Sequence, residues 1–374
     1  MELNEILQIA LRGGASDIHL KAGLPPMFRV DGSLVPLKDG RRLPPEEVAR
    51  MAFGIMNDYQ KEKFKNTNEV DLAYGVPGLG RFRVNVFQQR GTVGCVLRVI
   101  PFKVLSVREL NLPPILEKIA LDERGLILVT GTTGSGKSTT LAAMVDHVNS
   151  TAARHIVTIE DPIEFLHSDK RSVINQREIG SDTGSFARAL RRVLRQDPDI
   201  ILIGEMRDEE TVRTALSAAE TGHLVLSTLH TADAPETINR VIDFFPPHQH
   251  RQVRAMLSST LRGVISQRLV PSLDGGRVAA LEILRTTGRV RDAIMNPDET
   301  ALLPTIIAEG AFYGMQTFDQ ALFAHVQGGR ISRDEALAAA TSPQDFKLLL
   351  AAEGRVGTSM ADVLATSAAP AAGD

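Results

Sequence analysis

Apolar and polar residues alternate along several short runs in the first hundred residues, which is the pattern of half-buried β-strands. The runs are 16–20, a hairpin over 27–37 that turns at Asp31-Gly32, 69–74, 80–88 and 92–100. Helices are predicted for 2–11 and for a stretch that starts at Pro44 and continues towards Lys65. Residues 1–100 are therefore predicted to form an α+β domain, in which a helix packs on an antiparallel sheet of about five strands.

The pattern changes after about residue 110 to apolar strands that alternate with helices. Several of these strands are apolar throughout, as strands buried on both faces of a parallel sheet should be. Strands are predicted at 125–130, 154–160, 172–176, 199–204 and 223–228, and helices at 137–149, 185–195 and 209–221. A hairpin turning at 274–276 and a string of short helices after Thr286 follow. We predict a doubly wound α/β nucleotide-binding domain over 110–355, preceded by a linker at 101–109 and followed by a disordered tail at 356–374.

Composition narrows the class of protein. The 374 residues are 43% hydrophobic and 23% charged, and their formal net charge of −3 gives no whole-molecule attraction to DNA or anionic lipid. The one cysteine, Cys95, excludes an intrachain disulfide and a cysteine-rich zinc site, and we expect it to be buried. The chain lacks signal-peptide features and any apolar run of about twenty residues. We therefore expect a cytoplasmic protein that contacts a membrane only through a partner.

The segment GTTGSGKS at 131–138 lies between a predicted apolar strand and a predicted helix. This is the context of a phosphate-binding loop, in which glycines turn backbone N–H groups towards phosphate oxygens and the helix start adds its positive dipole end. Lys137 can bridge the β- and γ-phosphates of a nucleotide, and the Ser138 hydroxyl can hold Mg²⁺. The sequence therefore predicts a site for ATP and Mg²⁺. Its predicted nucleotide-contacting residues are Gly131, Thr132, Thr133, Gly134, Ser135, Gly136, Lys137, Ser138 and Thr139.

Carboxylates follow two of the predicted core strands, at the sheet end where ligands collect. The stretch 158–167 offers Glu160, Asp161 and Glu164, and a carboxylate there can orient and deprotonate attacking water, although a solvated acidic loop is the alternative. The apolar strand before Glu205 ends in that acid, as is usual for a residue that holds a Mg²⁺-bound water. Two assignments stay open: Glu205 as metal partner with Glu164 as base, or Glu205 as base.

Two histidines, His223 and His230, bracket the next predicted core strand. A lone histidine is more often a structural hydrogen-bonding group than a catalytic one. Two of them around a strand of the nucleotide-binding sheet favour a contact with the γ-phosphate, because an imidazole can donate to a phosphate oxygen.

Two groups of arginines have alternative interpretations. One group shares a face of the predicted helix, with spacings of three and four: Arg188, Arg191, Arg192 and Arg195. That face is solvated or salt-bridged at a subunit contact, or else it binds DNA or phosphate. The other group lies on predicted strands of the first domain: Arg81, Arg83, Arg90 and Arg98. These side chains are surface charges, or they reach a neighbouring nucleotide as arginine fingers.

Four stretches in this order closely resemble the secretion ATPase superfamily, and within it the type IV pilus retraction ATPases of the PilT family. They are GTTGSGKS at 131–138, TIEDPIEFLH at 158–167, DIILIGEMRD at 199–208 and TGHLVLSTLHT at 221–231. The resemblance extends from GASDIHL at 14–20 to GMQTFDQAL at 314–322. It implies a PAS-like N-terminal domain joined flexibly to a RecA-like P-loop ATPase domain with C-terminal helices, assembled as a homo-hexamer.

The resemblance also implies an activity and partners. A member of this family is a Mg²⁺-dependent ATP hydrolase that powers pilus disassembly and twitching motility. It is cytoplasmic and peripheral at the inner membrane, where it acts on the pilus platform protein and alongside a paralogous pilus ATPase, with no direct contact to nucleic acid.

Site residues are carried over by position. Lys137 and Ser138 correspond to the phosphate-loop lysine and serine, and Glu205 corresponds to the acid of the second nucleotide-binding stretch. Glu164 corresponds to the glutamate assigned as catalytic, which favours Glu164 as base. The remaining matches are the histidines and the strand arginines that contact nucleotide: His223, His230, Arg81, Arg83 and Arg98.

Two features bear on the direction of the motor. Extension ATPases carry a longer N-terminal region and commonly a four-cysteine zinc element, whereas this chain begins with the PAS-like domain and has one cysteine. Retraction ATPases often carry an AIRAGE-type element, and the corresponding stretch 303–310 reads LPTIIAEG. The alternatives to a retraction motor are an accessory PilU-like pilus ATPase and a RecA-like nucleic-acid motor.

Overall fold

The chain divides into two units in the computed structural model, which describes residues 2–100 and 104–351. The first unit contains the residues before 104 together with the segment Pro162–Leu166, and the second contains the rest. The first three residues of the predicted linker and the whole predicted tail at 356–374 lie outside the described residues, and 104–109 form neither helix nor strand. Within the described residues, no helix combines the length and apolar character that crossing a membrane requires.

The first unit is built on a six-stranded antiparallel sheet with the spatial order β3-β2-β1-β6-β5-β4, and its strands correspond to the predicted hairpin and the four other predicted runs. Its strands are β1 Asp17–Lys21, β2 Met27–Val30, β3 Ser33–Pro36, β4 Glu69–Val76, β5 Gly80–Gln89 and β6 Thr92–Ile100. Its helices are α1 Leu3–Arg12, α2 Pro45–Gly54 and α3 Asp58–Thr67. The prediction of one helix from Pro44 towards Lys65 is wrong. A new helix begins after Asn57, whose side-chain oxygen accepts the backbone N–H of Gln60 at 2.8 Å.

The core of the first unit follows the predicted alternation of side chains. Phe82, Val84 and Val86 point into the core from β5, whereas Arg81 and Arg83 lie on its other face, as predicted. Cys95 on β6 is buried in the same core, which confirms the expected position. Burial raises the pKa of its thiol to about 12.

The second unit contains a seven-stranded sheet with the order β13-β12-β7-β11-β10-β8-β9. The strands are β7 Gly125–Thr130, β8 His155–Glu160, β9 Val173–Glu178, β10 Ile200–Ile203, β11 Leu224–Leu229, β12 Leu261–Pro271 and β13 Arg277–Arg285. All neighbouring pairs are parallel except the pair of β12 with β13. The antiparallel pair is the hairpin predicted around 274–276.

Helices cover both faces of this sheet, as a doubly wound fold requires. They are α4 Ile115–Ala120, α5 Lys137–Thr151, α6 Phe186–Val193, α7 Glu209–Glu220, α8 Ala234–Asp243, α9 His250–Thr260, α10 Gly288–Met295 and α11 Leu303–Ala308. Leu126 and Leu128 of β7 pack with α6 to α11, whereas Ile127 and Val129 pack with α4 and α5. Successive side chains of one strand thus enter separate cores, which is why β7 is apolar throughout.

Three more helices, α12 Phe318–Gln327, α13 Arg333–Ala339 and α14 Pro343–Ala351, pack on the β12–β13 hairpin. Their contacts centre on Phe318 and Phe346, which meet Val270 and Val278 of the two strands. The string of short helices predicted after Thr286 is therefore confirmed. The helices α8 and α9 lie in a stretch where no helix or strand was predicted.

Candidate active site

The polar stretches of the second unit meet at one edge of its sheet. The phosphate loop follows β7, Glu160 ends β8, Glu205 follows β10 and His230 follows β11. These four strands are parallel and lie in the order β7-β11-β10-β8, so their carboxyl ends share one edge. The grouping of these stretches by their position after core strands is confirmed.

The backbone of the phosphate loop turns through left-handed conformations. Gly131 and Gly136 have φ angles of 140° and 89°, which side chains with a Cβ rarely adopt. The helix α5 begins at Lys137, directly after Gly136, and no side chain caps its N-terminus. The first-turn N–H groups of this helix have no partner within the helix, so they are available to an anion.

The side chain of Lys137 folds back onto the phosphate loop. It is buried, and Nζ donates to the carbonyl oxygens of Gly131 at 2.9 Å and Thr132 at 3.0 Å. The nearby Ser135 hydroxyl is also buried and finds no hydrogen-bond partner among the described residues. A buried ammonium group and an unsatisfied hydroxyl beside open helix N–H groups fit a phosphate chain, which supplies acceptors to all three.

Glu205 lies among basic groups at the same edge. Its carboxylate is ion-paired with the Arg207 guanidinium, and its Oε2 lies 3.6 Å from Nε2 of His230. The hydrogen bond to Glu205 raises the pKa of Arg207, and the charge of Asp161 adds to this effect. The preceding turn is fixed by Thr228, whose Oγ1 donates to the Gly204 carbonyl at 2.7 Å. The sequence did not predict the Arg207–Glu205 pair. Two side chains that are two positions apart have no fixed relative orientation when they lie outside a strand.

The acidic stretch after β8 is divided between the units. Glu160 accepts hydrogen bonds from Thr158 at 2.5 Å and from Gln176 at 3.2 Å, so its carboxylate is tied to the sheet edge. Asp161 is exposed. Glu164 is exposed too, and its segment Pro162–Leu166 groups with the first unit.

His223 lies at the other end of its strand. It precedes β11, and its carbonyl accepts the N–H of Gly125, the first residue of β7. The phosphate loop starts only after Thr130, which lies five residues beyond Gly125 on β7 and pairs with Leu229 of β11. Since a strand rises about 3.3 Å per residue, roughly 20 Å separate His223 from Gly131. β11 therefore places His230 at the sheet edge of the phosphate loop and His223 at the opposite edge, so the expectation that both histidines lie at the nucleotide site is corrected for His223.

The strand arginines belong to the first unit. Arg98 on β6 lies opposite Arg83 in the register of β5 and β6, and its Nε donates to Asp17 at 2.8 Å. Burial alone would raise the pKa of Asp17, but the hydrogen bonds from Arg98 and Ser16 outweigh it and lower this pKa. Arg83 is exposed, while Arg81 is partly buried.

Gln267 on β12 is a site residue that the sequence did not reveal. Its side-chain Oε1 accepts the Thr140 hydroxyl of α5 at 2.7 Å. A Cβ at Gly136 would lie 2.7 Å from its Nε2, and one at Gly131 would collide with its carbonyl oxygen. The buried amide of Gln267 therefore supports the phosphate loop from the neighbouring strand. No local pattern marks it, because 127 residues separate Gln267 from Thr140.

Comparison with known proteins assigns the family. Residues 1–303 match the model of the type II/IV secretion system proteins. The chain belongs to this family. It is similar to the type IV pilus retraction ATPase PilT of Pseudomonas aeruginosa, with 50% identity over 92% of this chain and 100% of the relative. It is also similar to the type IV pilus ATPase PilU of the same organism, with 43% identity over 94% of this chain and 91% of the relative.

A solved structure shows the same fold. A crystal structure of the pilus retraction motor PilT with bound ADP superimposes with a TM-score of 0.84 and 46% identity, covering 92% of this chain and 98% of that chain. The mixed α/β fold and the family expected from the four sequence stretches are confirmed.

Proposed function

We propose that this protein is an ATP-hydrolysing motor that powers retraction of the type IV pilus. The observation that carries the proposal is its 50% identity along the full length of a relative described as a pilus retraction ATPase. The phosphate loop supports it independently, because Lys137 and the unsatisfied Ser135 hydroxyl fit a phosphate chain. The stretch that corresponds to the AIRAGE-type element contains α11, whose Leu303, Ile306 and Ile307 lie in the core of the second unit.

The proposed chemistry starts from residues that hold ATP. Lys137 leaves the loop carbonyls and bridges the β- and γ-phosphates, while the N–H groups of the loop and of the start of α5 bind phosphate oxygens. Ser138 and, through water, Glu205 would hold Mg²⁺, and the ion would supply positive charge that offsets the charge of the phosphates. His230 donates to a γ-phosphate oxygen from the position that it occupies beside Glu205.

We assign Glu164 as the base that orients water for in-line attack. Glu205 is already restrained by Arg207 and faces His230, which suits a residue that keeps a fixed orientation towards a metal-bound water. This supports Glu205 as metal partner over Glu205 as base.

The motor we propose is a homo-hexameric ring that works at the cytoplasmic side of the inner membrane. Arg81, Arg83 and Arg98 reach a nucleotide from the first domain, which is joined to the ATPase domain through 101–109. Rotation of one domain against the other during turnover displaces the pilus platform protein. A paralogous pilus ATPase is a further partner.

The first test is steady-state hydrolysis by the purified full-length protein with Mg²⁺. We expect Lys137→Ala to abolish turnover, and Glu164→Gln to lower kcat by about 100-fold or more while ATP binding persists, because only proton abstraction is lost. Glu123→Gln, which removes an exposed carboxylate of the second unit, is the matched control. Intact hydrolysis in Glu164→Gln with loss in Glu205→Gln would reverse the two assignments.

The second test is deletion of the gene, with surface pili and twitching scored. Accumulated, immobile pili are the expected result, because assembly continues while disassembly stops. Absence of pili would indicate an assembly motor. Normal retraction that fails only under load would indicate an accessory role such as that of a PilU-like ATPase.

A further inference from the structure

Three arginines of α6 and one from the turn after it surround a single cavity. The cavity has a volume of about 420 Å³, and its lining residues among those described are Arg188, Arg191, Arg192 and Arg195. The predicted helix was expected to include Arg195, but α6 ends at Val193 and the following turn brings Arg195 to the same cavity. The opposite face of α6 is buried through Ala189, Leu190 and Val193, so the basic face cannot rotate inward.

The charges of this arginine cavity are largely uncompensated. Arg191 pairs with Glu210 at 2.9 Å, whereas Arg188, Arg192 and Arg195 form no ion pair within residues 2–100 and 104–351. Some other exposed arginines of the same unit have carboxylate partners, as in the pairs Arg213–Glu209 and Arg289–Glu309. Like charges spaced three and four residues apart repel each other and weaken a helix. Without a ligand, the arginines of the cavity therefore destabilise α6.

We propose that the arginine cavity binds a compact ligand that carries several phosphate groups. Guanidinium groups match phosphate oxygens in bidentate geometry, and three uncompensated arginines match the charge of a short phosphate chain. The described lining offers no apolar side chain, so it lacks the pocket that would select a side chain of an acidic peptide. The volume lies in the small-molecule range. The net charge of −3 gives a long polyanion that extends beyond the cavity no additional attraction.

Tripolyphosphate is the probe, and calorimetric titration of the full-length protein is the measurement. ADP is kept in saturating excess so that the proposed site at the phosphate loop is occupied. We expect one further binding event per chain that weakens steeply with added salt. The variant Arg188→Gln/Arg192→Gln should weaken it by at least about tenfold, because two charge-assisted contacts are lost while a good helix former is kept.

The matched control is Arg251→Gln/Arg291→Gln, which removes two exposed arginines from α9 and α10 and should leave the affinity unchanged. Thermal unfolding supplies a second readout. Tripolyphosphate should raise the Tm of the wild type and not that of Arg188→Gln/Arg192→Gln, because ligand binding to the folded state stabilises it. Without ligand, the double variant should be no less stable than the wild type, since its repulsion is relieved.

Several outcomes would overturn the proposal. They are absence of binding in the ADP-saturated wild type, equal affinity in the double variant, or tighter binding of oligoglutamate or duplex DNA at the same arginines. A change of oligomeric state in the unliganded double variant would instead assign the cavity to a subunit contact. If ADP itself does not bind, the proposed ATPase function fails, and tripolyphosphate binding in Lys137→Ala still tests the arginine cavity separately.

Discussion

At the scale of single residues, Glu282 places a carboxyl group inside the second unit, on β13. It is 6% exposed, and its Oε1 accepts the backbone N–H of Ala234 at 2.8 Å. Ala234 is the first residue of α8 and lies four positions after His230, so this hydrogen bond fixes the chain that leaves the site. Burial raises the pKa of Glu282 to about 7, although the bond from Ala234 acts in the opposite direction.

The raised pKa makes stability depend on pH. Between 4.5, the ordinary pKa of the side chain, and about 7, the folded chain binds the Glu282 proton more tightly than the unfolded chain does. The contribution of Glu282 is therefore complete below pH 4.5 and is lost as pH rises through about 7. Glu282→Gln keeps an acceptor for Ala234 but cannot ionise. As pH rises from 4.5 to about 8, we expect the free energy of unfolding of the wild type to fall by about 3 kcal/mol relative to that of Glu282→Gln.

Urea unfolding of both proteins at several pH values measures this difference. Glu123→Gln, which removes an exposed carboxylate, should show a nearly constant difference from the wild type. A Glu282→Gln curve parallel to that of the wild type would show that the buried carboxyl is not protonated in the folded state.

At the scale of elements, β12 joins the phosphate loop to the C-terminal helices through three successive residues. Ser266 accepts the Thr130 hydroxyl at 3.0 Å, and Gln267 accepts the Thr140 hydroxyl. The next residue, Arg268, donates to the Ala339 carbonyl at 2.9 Å and lies over the ring of Phe318. A displacement of the loop by phosphate therefore acts on β12 directly, and through it on α12 and α13.

Removing the side chain of Gln267 tests this support. Gln267→Ala leaves the Thr140 hydroxyl without its buried partner and opens space beside Gly136. An unmade buried hydrogen bond costs about 1–3 kcal/mol, so we expect the KM for ATP to rise by about tenfold. The effect on kcat should be smaller, because none of the residues assigned to the chemical step contacts Gln267. Steady-state kinetics of the variant measure both constants.

Thr140→Val removes the other half of the same hydrogen bond, so the double variant should be little worse than Gln267→Ala alone. Gln327→Ala, at the exposed end of α12, is the control. Two results together would instead indicate a general loss of structure. In each variant kcat would fall as much as KM rises, and the effects of Gln267→Ala and Thr140→Val would add in the double variant.

At the scale of the whole molecule, the sequence predicted what local patterning determines. Gly125–Thr130 and Thr92–Ile100 were predicted with the bounds that the structure has, because each is a short run rich in apolar and β-branched residues and has a turn residue, Gly131 or Gly91, at one end. The grouping of site residues followed from the direction of parallel strands. His223 was misplaced although the same rule applies to it: a residue before a parallel strand lies at the opposite edge from one after it.

Other features depend on tertiary contacts and lay beyond the sequence. The break between α2 and α3 is an exception, because the capping box of Asn57 and Gln60 is a local signal that the prediction missed. Gln267 supports the loop only because β12 lies next to β7 in the sheet. Glu282 accepts the first backbone N–H of α8, a helix that was not predicted, so its buried environment could not be anticipated.

The buried position of Cys95 has a practical consequence. A thiol whose pKa is raised to about 12 is almost wholly protonated at neutral pH, and thiol-reactive dyes and spin labels attack the thiolate. Since the chain has no other cysteine, a cysteine introduced at an exposed position would carry the label alone, with no need to remove the native one. One such position in each unit would allow distances between the units to be followed by fluorescence or electron spin resonance while nucleotide is turned over.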